Sequence, residues 1–323
     1  MRFVVYGAGA VGGVVGAQLH RAGHDVTLVA RGDHYRAIRD RGLVFASPVE
    51  RLTLEMPVVA DIAAAGVEPD VVVLMAVKSQ STLQCSLDLR RVAPVSTPVV
   101  CLQNGVENEP TVMRFFSNVY GVPVMCPAVH LEPGVVEANS WPVTGILDIG
   151  RFPVGTDETA IAVAAAFSSA TFVSEVRPDI MAWKHRKLMM NIGNAVQAIC
   201  GPGAVDGRIL EMATAEAGLV LAAAGVAVIP VDEDRQRRGH LVRVAPVAGR
   251  RRPGGSSWQS LERHAGSIET DYLNGYIVLL GRLHNVPTPV NALLQRLAAE
   301  MAAAGAAPAT IDEDDFLAML EDG

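Results

Sequence analysis

The sequence predicts an α/β protein with a doubly wound parallel sheet in its N-terminal half and an all-helical C-terminal domain. Two observations lead to this fold class. Up to residue 177, short β-branched strands alternate with helical segments, and after Arg177-Pro178 the pattern changes to long helices. The chain also has 323 residues, more than one domain usually contains. We therefore predict one domain over residues 1–177 and a second over residues 178–323.

Composition and charge limit the kind of partner. Half of the residues are hydrophobic and 19% are charged, which is typical of a compact globular protein. The 27 basic and 34 acidic residues give a net charge of −7, which argues against nucleic acid as the main ligand. The most apolar internal stretch, residues 217–231, is shorter than the ~20 residues that span a bilayer. We expect neither a nucleic-acid partner nor a membrane segment.

The four cysteines are far apart in the sequence. Cys85, Cys101, Cys126 and Cys200 form no C-x-x-C pair, the spacing that zinc sites and redox dithiols use. They are typical of thiols kept reduced, so we predict a cytoplasmic protein without a bound metal.

A glycine motif follows the first predicted strand. Residues 3–6 are β-rich, and Gly7-x-Gly9-x-x-Gly12 comes directly after them, before a predicted helix over residues 14–20. In a Rossmann-type domain, these glycines allow the tight turn, the approach of a pyrophosphate and close helix packing. The position of the motif therefore predicts a dinucleotide site; a glycine-rich turn without a ligand is the alternative.

Arg31 stands at the end of the second predicted strand, about 20 residues after the fingerprint. An NAD-binding protein would carry Asp or Glu there for the ribose hydroxyls, whereas a guanidinium suits the 2′-phosphate of NADP. We therefore predict NADP(H) as the cofactor. The alternative is an exposed arginine beside the Gly32-Asp33 turn.

Polar residues follow two later strands of the predicted sheet. Lys78 comes after a buried strand at residues 71–74, and Gln103-Asn104-Gly105 follows the strand at residues 98–102. Ligands of doubly wound sheets bind beyond the carboxyl ends of the strands. Lys78 and Asn104 are thus predicted to face the cofactor or substrate, although each alone is also common in surface turns.

The C-terminal half is predicted to be helical. The helices are expected over residues 179–199, 206–224, 258–264, 269–284, 290–304 and 312–320. Residues 235–252 contain seven arginines, and we expect a solvated loop or mobile flap there, with a local anion site left open.

Four polar residues of this half are candidates for the chemistry. Lys187 and Asn191 are spaced i, i+4 and project from one helix face. Ser257 follows the arginine-rich segment, and Glu269 begins a later helix. Taken singly, each is as well explained as a surface or capping residue.

Together these motifs resemble the ketopantoate reductase (2-dehydropantoate 2-reductase) family, almost from end to end. The resemblance rests on seven pieces in the same order: Gly7-x-Gly9-x-x-Gly12, Arg31, Ala76-Val77-Lys78, Gln103-Asn104-Gly105, Arg186-Lys187-Leu188-x-x-Asn191, Ser256-Ser257 and Glu269-x-Asp271-Tyr272-x-Asn274-Gly275.

The resemblance implies that NADPH delivers hydride to a branched 2-oxo acid, in a cleft between the two domains, on the route to pantothenate. Lys187 matches the family's catalytic lysine and proton donor, and Glu269 matches an acidic residue that helps to orient the site. Asn191, Ser257 and Asn104 match substrate-contacting or cleft-lining positions, and Lys78 lines the cofactor side. The implied partner is a small 2-oxo acid, and both a monomer and a homodimer stay open.

The sequence departs from the family pattern in one place. It reads Asn194-Ala195 where the family often continues with Asn-Pro, and the asparagine is at a different spacing. Two alternatives follow: reduction of another 2-oxo acid, or a non-catalytic NADP-binding sensor.

Overall fold

A computed structural model describes residues 1–321, which contain three sheets and two sets of helices. The strands are β1 (Arg2–Tyr6), β2 (Asp25–Val29), β3 (Leu43–Ala46), β4 (Arg51–Leu54), β5 (Val58–Val59), β6 (Val71–Met75), β7 (Val99–Cys101), β8 (Val119–Gly121), β9 (Ala128–Val129), β10 (Val135–Ala138), β11 (Gly145–Ile146), β12 (Gly150–Arg151) and β13 (Phe172–Val173). The helices are α1 (Ala10–Arg21), α2 (Gly32–Arg41), α3 (Thr82–Leu89), α4 (Asn108–Met113), α5 (Glu158–Ser169), α6 (Ile180–Asn191), α7 (Gly193–Cys200), α8 (Arg208–Ala223), α9 (Val231–Arg238), α10 (Ser256–Glu262), α11 (Asn274–His284), α12 (Pro289–Ala303) and α13 (Glu313–Glu321).

The chain forms two compact units. The first unit contains residues 1–184 and 230–252, and the second contains residues 185–229 and the chain from Pro253 onward. The chain passes from the first unit to the second within α6, between Lys184 and His185.

The main sheet of the first unit is the predicted doubly wound one. Its seven strands lie in the order β12-β8-β7-β6-β1-β2-β5, and all neighbours are parallel except β12 and β8. The chain first adds strands on one side of β1 and then places β6 on its other side. The topological switch point therefore lies between β1 and β6, where ligands of such sheets bind.

The strand β1 shows why the sheet is covered on both faces. Phe3 and Val5 pack into the cluster that includes Val14 and Leu19 of α1. Val4 and Tyr6 pack into the opposite cluster, which includes Cys85 and Leu89 of α3 and Val112 of α4. Successive side chains of a strand point to opposite faces, so an all-apolar strand needs helices on both sides.

Two further sheets flank the main one. A four-stranded sheet has the order β4-β3-β10-β9, and β11 pairs with β13 in a small parallel sheet. Residues 135–138 form β10, which pairs with both β3 and β9. Strands β11 and β13 have two residues each, and an isolated bridge joins Ile149 to Val176 beyond them.

The segment from Pro230 to Arg252 differs from the predicted loop or flap. It begins with helix α9 and packs within the first unit. Arg237 forms two hydrogen bonds, of 2.8 and 2.6 Å, with the buried carboxylate of Asp148. Val244 also forms a β-bridge with Ser140. The predicted loop is wrong for residues 235–238, which lie in α9, because Arg237 pairs with a buried carboxylate instead of facing solvent. From residue 239 to residue 252 the segment contains no further helix or strand.

The second unit is helical. The helix expected over residues 179–199 is divided into α6 and α7, with Gly193, a weak helix former, beginning α7. Helix α12 starts with Pro289, and Glu216 of α8 accepts hydrogen bonds from the N–H groups of Val290 and Asn291. Among residues 1–321, the model contains no helix long and apolar enough to cross a bilayer. The predicted fold class, an α/β sheet followed by a helical domain, is confirmed.

Candidate functional site

The glycine turn after β1 packs tightly against the end of β6. Gly7 has φ +107°, a region that favours glycine, and a Cβ there would lie 2.9 Å from the backbone of Ala76 and Val77. A Cβ on Gly12 would lie 2.0 Å from the carbonyl oxygen of Gly7. Larger residues at either position would separate α1 from the two central strands. Gly7 and Gly12 therefore have the structural roles that the fingerprint predicts.

Gly9 differs from its neighbours because space is open beside it. It caps the N-terminus of α1, and a Cβ built on it would meet no atom within 4 Å. The first N–H groups of a helix have no partner within the helix and attract anions. The turn therefore fits a dinucleotide, with the pyrophosphate beside Gly9 and the start of α1.

Arg31 precedes helix α2, and its side chain is exposed. Burial raises the pKa of the Cys85 thiol, and both Tyr6 and Arg31 lie close enough to lower it. The guanidinium thus lies near the carboxyl end of β1 and helix α3. A cation at this place fits the 2′-phosphate of NADP.

The turns after β6 and β7 are joined by a network of polar side chains. The Gln103 amide donates to the Val77 carbonyl at 2.7 Å and to the Thr82 hydroxyl at 2.8 Å. The Asn104 carbonyl accepts from Asn108 at 2.8 Å. Lys78 is half-buried and directly precedes a short 3₁₀ turn at residues 79–81. Lys78 and Asn104 are therefore held on neighbouring turns, at the edge where the glycine motif lies.

A buried ion pair lies behind this network. The Lys184 ammonium is 2.5 Å from Oε1 of Glu109 and donates to the Gln103 carbonyl at 3.0 Å. The exposed fractions of the two side chains are 1% and 0%. Burial raises the pKa of Glu109, and Lys184 opposes that rise. Lys184 thus fixes the first turns of α6 to β7 and α4.

In the second unit, the four candidate residues lie on three elements. Lys187 and Asn191 are one turn apart on α6, Ser257 lies on α10, and Glu269 begins a 3₁₀ turn at residues 269–272. Lys187 is half-buried, whereas Asn191, Ser257 and Glu269 are buried. Among the described residues, neither Nδ2 of Asn191 nor Oγ of Ser257 has a hydrogen-bond partner. A buried polar atom without a partner is rare and is a feature of ligand sites.

The loop before α10 is fixed by α7. The Gly255 N–H donates to Oε1 of Gln197 at 2.7 Å, and the Asn194 amide lies 3.4 Å from Oγ of Ser256. A Cβ on Gly255 would lie 2.8 Å from Oδ1 of Asn194. Asn194, the residue that departs from the family spacing, therefore supports the segment that carries Ser257.

Three features of the first unit were not found from the sequence. The first is the Lys184–Glu109 pair, and the second is a bond from His34 to the glycine turn, described below. The third is Arg252, whose Nε is buried without a hydrogen-bond partner among residues 1–321, and whose pKa is lowered by burial. For Arg252, the only hint in the sequence was the large number of arginines in residues 235–252.

The fold and the glycine turn define a Rossmann-type dinucleotide-binding protein with a helical second unit. Two family models identify it more closely: "Ketopantoate reductase PanE/ApbA" matches residues 3–153, and "Ketopantoate reductase PanE/ApbA C terminal" matches residues 179–302. The chain belongs to the ketopantoate reductase family, a family of oxidoreductases. The predicted family and enzyme class are confirmed.

Relatives and solved structures agree with this assignment. A 2-dehydropantoate 2-reductase of Pyrococcus horikoshii is 33% identical over 311 residues, covering 92% of this chain and 96% of the relative. The crystal structure of a PanE/ApbA family ketopantoate reductase from Ralstonia eutropha is 28% identical, with a TM-score of 0.78 over 94% of this chain and 99% of that one. A ternary structure of D-mandelate dehydrogenase with NADH and anilino(oxo)acetate shares the fold, with a TM-score of 0.80 at 20% identity and coverage of 94% and 99%.

Proposed function

We propose that this protein reduces 2-dehydropantoate to pantoate with NADPH. The observation that carries the proposal is family membership over both halves of the chain. The two family models match the two halves separately. We therefore assign dinucleotide binding to residues 1–177, and substrate binding and catalysis to residues 178–323.

NADPH, when bound, supplies a hydride to the keto carbon. Gly7, Gly9 and Gly12 form the turn for its pyrophosphate, and Arg31 binds its 2′-phosphate. Lys78 and Asn104 face the cofactor from the turns after β6 and β7. Support comes from the open space beside Gly9 and from the network that holds Asn104.

Lys187 is the proposed proton donor. As a ketone accepts hydride, negative charge develops on its oxygen, and a lysine ammonium stabilises that charge and transfers a proton to it. Glu269 orients this lysine, and Asn191, Ser257 and Asn104 bind the substrate. The buried, unpaired amide of Asn191 and hydroxyl of Ser257 support these roles.

The carboxylate of a 2-oxo acid needs a partner as well. Three other arginines of the same segment have acidic partners: Arg237 contacts Asp148, Arg238 contacts Asp234, and Arg250 contacts Glu137. Among residues 1–321, Arg252 forms no salt bridge with an acidic side chain, although the residue is half-buried and its Nε is buried. A half-buried guanidinium without a counter-ion is a suitable partner for a carboxylate. We assign this role to Arg252.

The proposal is tested by NADPH oxidation at 340 nm with a series of 2-oxo acids that differ by single methyl or methylene groups. We expect kcat/KM for 2-dehydropantoate to exceed that of each neighbour in the series by about tenfold or more, since one methylene changes binding by about 1–3 kcal/mol. A higher value for another acid would assign the protein to that substrate. NADPH binding without oxidation in the whole series would favour the non-catalytic sensor.

A further inference from the structure

His34 connects three separate parts of the first unit. It lies in the first turn of α2, three residues after Arg31. Its Nε2 is 2.7 Å from the carbonyl oxygen of Ala8, inside the glycine turn. The backbone N–H of Gly134, just before β10, donates to its Nδ1 at 2.9 Å.

These two contacts fix the protonation state of the imidazole. Since Nδ1 accepts a hydrogen bond, it carries no proton, and the single ring proton is on Nε2, which donates to Ala8. Burial lowers the pKa of His34 to about 4, and His130, whose ring centroid is 4.1 Å away, lowers it further. His34 is therefore neutral at pH 7 and always presents a donor to the Ala8 carbonyl.

The bond to Ala8 also determines the direction of the next N–H group. The peptide between Ala8 and Gly9 is trans, so the Ala8 carbonyl and the Gly9 N–H point in opposite directions. Once the carbonyl is held by His34, the Gly9 N–H must point away from the imidazole. Among the hydrogen bonds of residues 1–321, none uses the Gly9 N–H as donor.

We propose that His34 is a positioning residue for the dinucleotide, which aims the Gly9 N–H at the pyrophosphate by holding the Ala8 carbonyl. This inference rests on the proposed use of the glycine turn by NADPH. It adds a residue of α2 that acts through the peptide backbone and contacts no part of the cofactor.

Two substitutions separate the contacts of His34. His34→Asn leaves an amide near the place of Nδ1, where it still accepts from Gly134, but it cannot reach Ala8. His34→Gln extends to the place of Nε2 and still donates to the Ala8 carbonyl. The matched control is His24→Asn, because His24 belongs to the same unit and its Nε2 bonds to the Ser169 hydroxyl at 3.0 Å, away from the glycine turn.

The measurement is the dissociation constant of NADPH and of NADH by calorimetry, at pH 7.5, for the wild type and the three variants. We expect His34→Asn to raise both constants by about tenfold, the change that follows loss of one well-aligned hydrogen bond to a charged group. His34→Gln and His24→Asn should stay within about threefold of the wild type. The factor should be equal for NADPH and NADH, because both carry the pyrophosphate.

Three results would overturn the inference. A loss confined to NADPH would show that His34 acts by placing Arg31, and unchanged binding in His34→Asn would show that the Ala8 contact is dispensable. If the wild type bound neither dinucleotide, the premise about the glycine turn would be wrong. Binding without reduction of any 2-oxo acid would instead contradict only the proposed function. Circular dichroism shows whether His34→Asn is folded. If it is unfolded, His34→Gln tests the inference instead: this variant keeps the bond to Ala8, so a dissociation constant raised by more than about threefold would overturn the inference.

Discussion

Lys184 and Glu109 form an ion pair that is shielded from water on all sides, with a distance of 2.5 Å between the ammonium and Oε1. Lys184 is three residues before Lys187 on the same helix, so the pair fixes the start of the helix that carries the proposed proton donor.

Removing one partner of this pair should strongly destabilise the protein. Glu109→Leu would leave a buried ammonium without a counter-ion, and we expect the free energy of unfolding to fall by about 3–5 kcal/mol. The double variant Glu109→Leu, Lys184→Met should recover most of that loss, because neither charge is then left alone. Urea denaturation of the two variants measures the difference. Equal stability of the single variant and the wild type would show that water reaches the pair.

Stability should also depend on the protonation of His34. Its pKa is about 4 in the folded protein and 6.5 in the unfolded chain. Between these values the unfolded chain binds more protons, so the free energy of unfolding rises with pH from about 4 to 6.5 and levels off above. The contribution is at most about 3 kcal/mol, from 1.36 kcal/mol per unit of pKa. His34→Gln should flatten this part of the pH profile in thermal unfolding experiments. The ring of His130 lies against that of His34, so an unchanged slope would show that His34 is not the source of this pH dependence.

Arg237 should hold residues 230–252 against the first unit. Its bond to the buried Asp148 is shielded, whereas Arg235 forms an exposed pair with Asp232. We expect Arg237→Ala to lower the free energy of unfolding by about 3 kcal/mol and to speed amide exchange in residues 231–250. The control Arg235→Ala should change stability by less than about 1 kcal/mol. Similar rates of amide exchange in Arg237→Ala and Arg235→Ala would show that Arg237 does not hold this segment against the first unit.

Arg31 should determine the choice between NADPH and NADH. Its guanidinium can pair with the 2′-phosphate, an interaction of about 1.5–3 kcal/mol. Arg31→Ala should therefore weaken NADPH binding by about tenfold to a hundredfold and leave NADH binding nearly unchanged. Calorimetry with both cofactors checks this. If Arg31→Ala weakened the binding of NADPH and NADH equally, Arg31 would contact a part of the dinucleotide that both cofactors share.

The sequence was most informative where local chemistry dictates the structure. Glycines that must lie against Ala76 and Val77 can be recognised from spacing, because only one residue type fits there. Strand β1 was also predictable, since a short continuous run of apolar residues is typical of a parallel strand that is buried on both faces.

Long-range pairs were not predictable. Lys184 and Glu109 are 75 residues apart, and His34 and Gly134 are 100 apart, so neither contact leaves a local pattern. For the same reason Arg237 was read as a surface charge, because its partner Asp148 lies 89 residues away. The assignments of Lys187, Asn191, Ser257 and Glu269 came from the resemblance to a family, and they stay predictions.

Lys187 is the residue proposed to promote hydride transfer from NADPH to a 2-oxo acid. The most direct measurement follows deuterium from each of the two C4-deuterated forms of NADPH into pantoate, by mass spectrometry, in single turnovers of the wild type and of Lys187→Ala. We predict one deuterium in the product from one form only, and a rate at least ~10²-fold lower for Lys187→Ala, with NADPH binding unchanged. Deuterated pantoate formed by Lys187→Ala at the wild-type rate, or no deuterium transfer by the wild type from either form, would contradict the account.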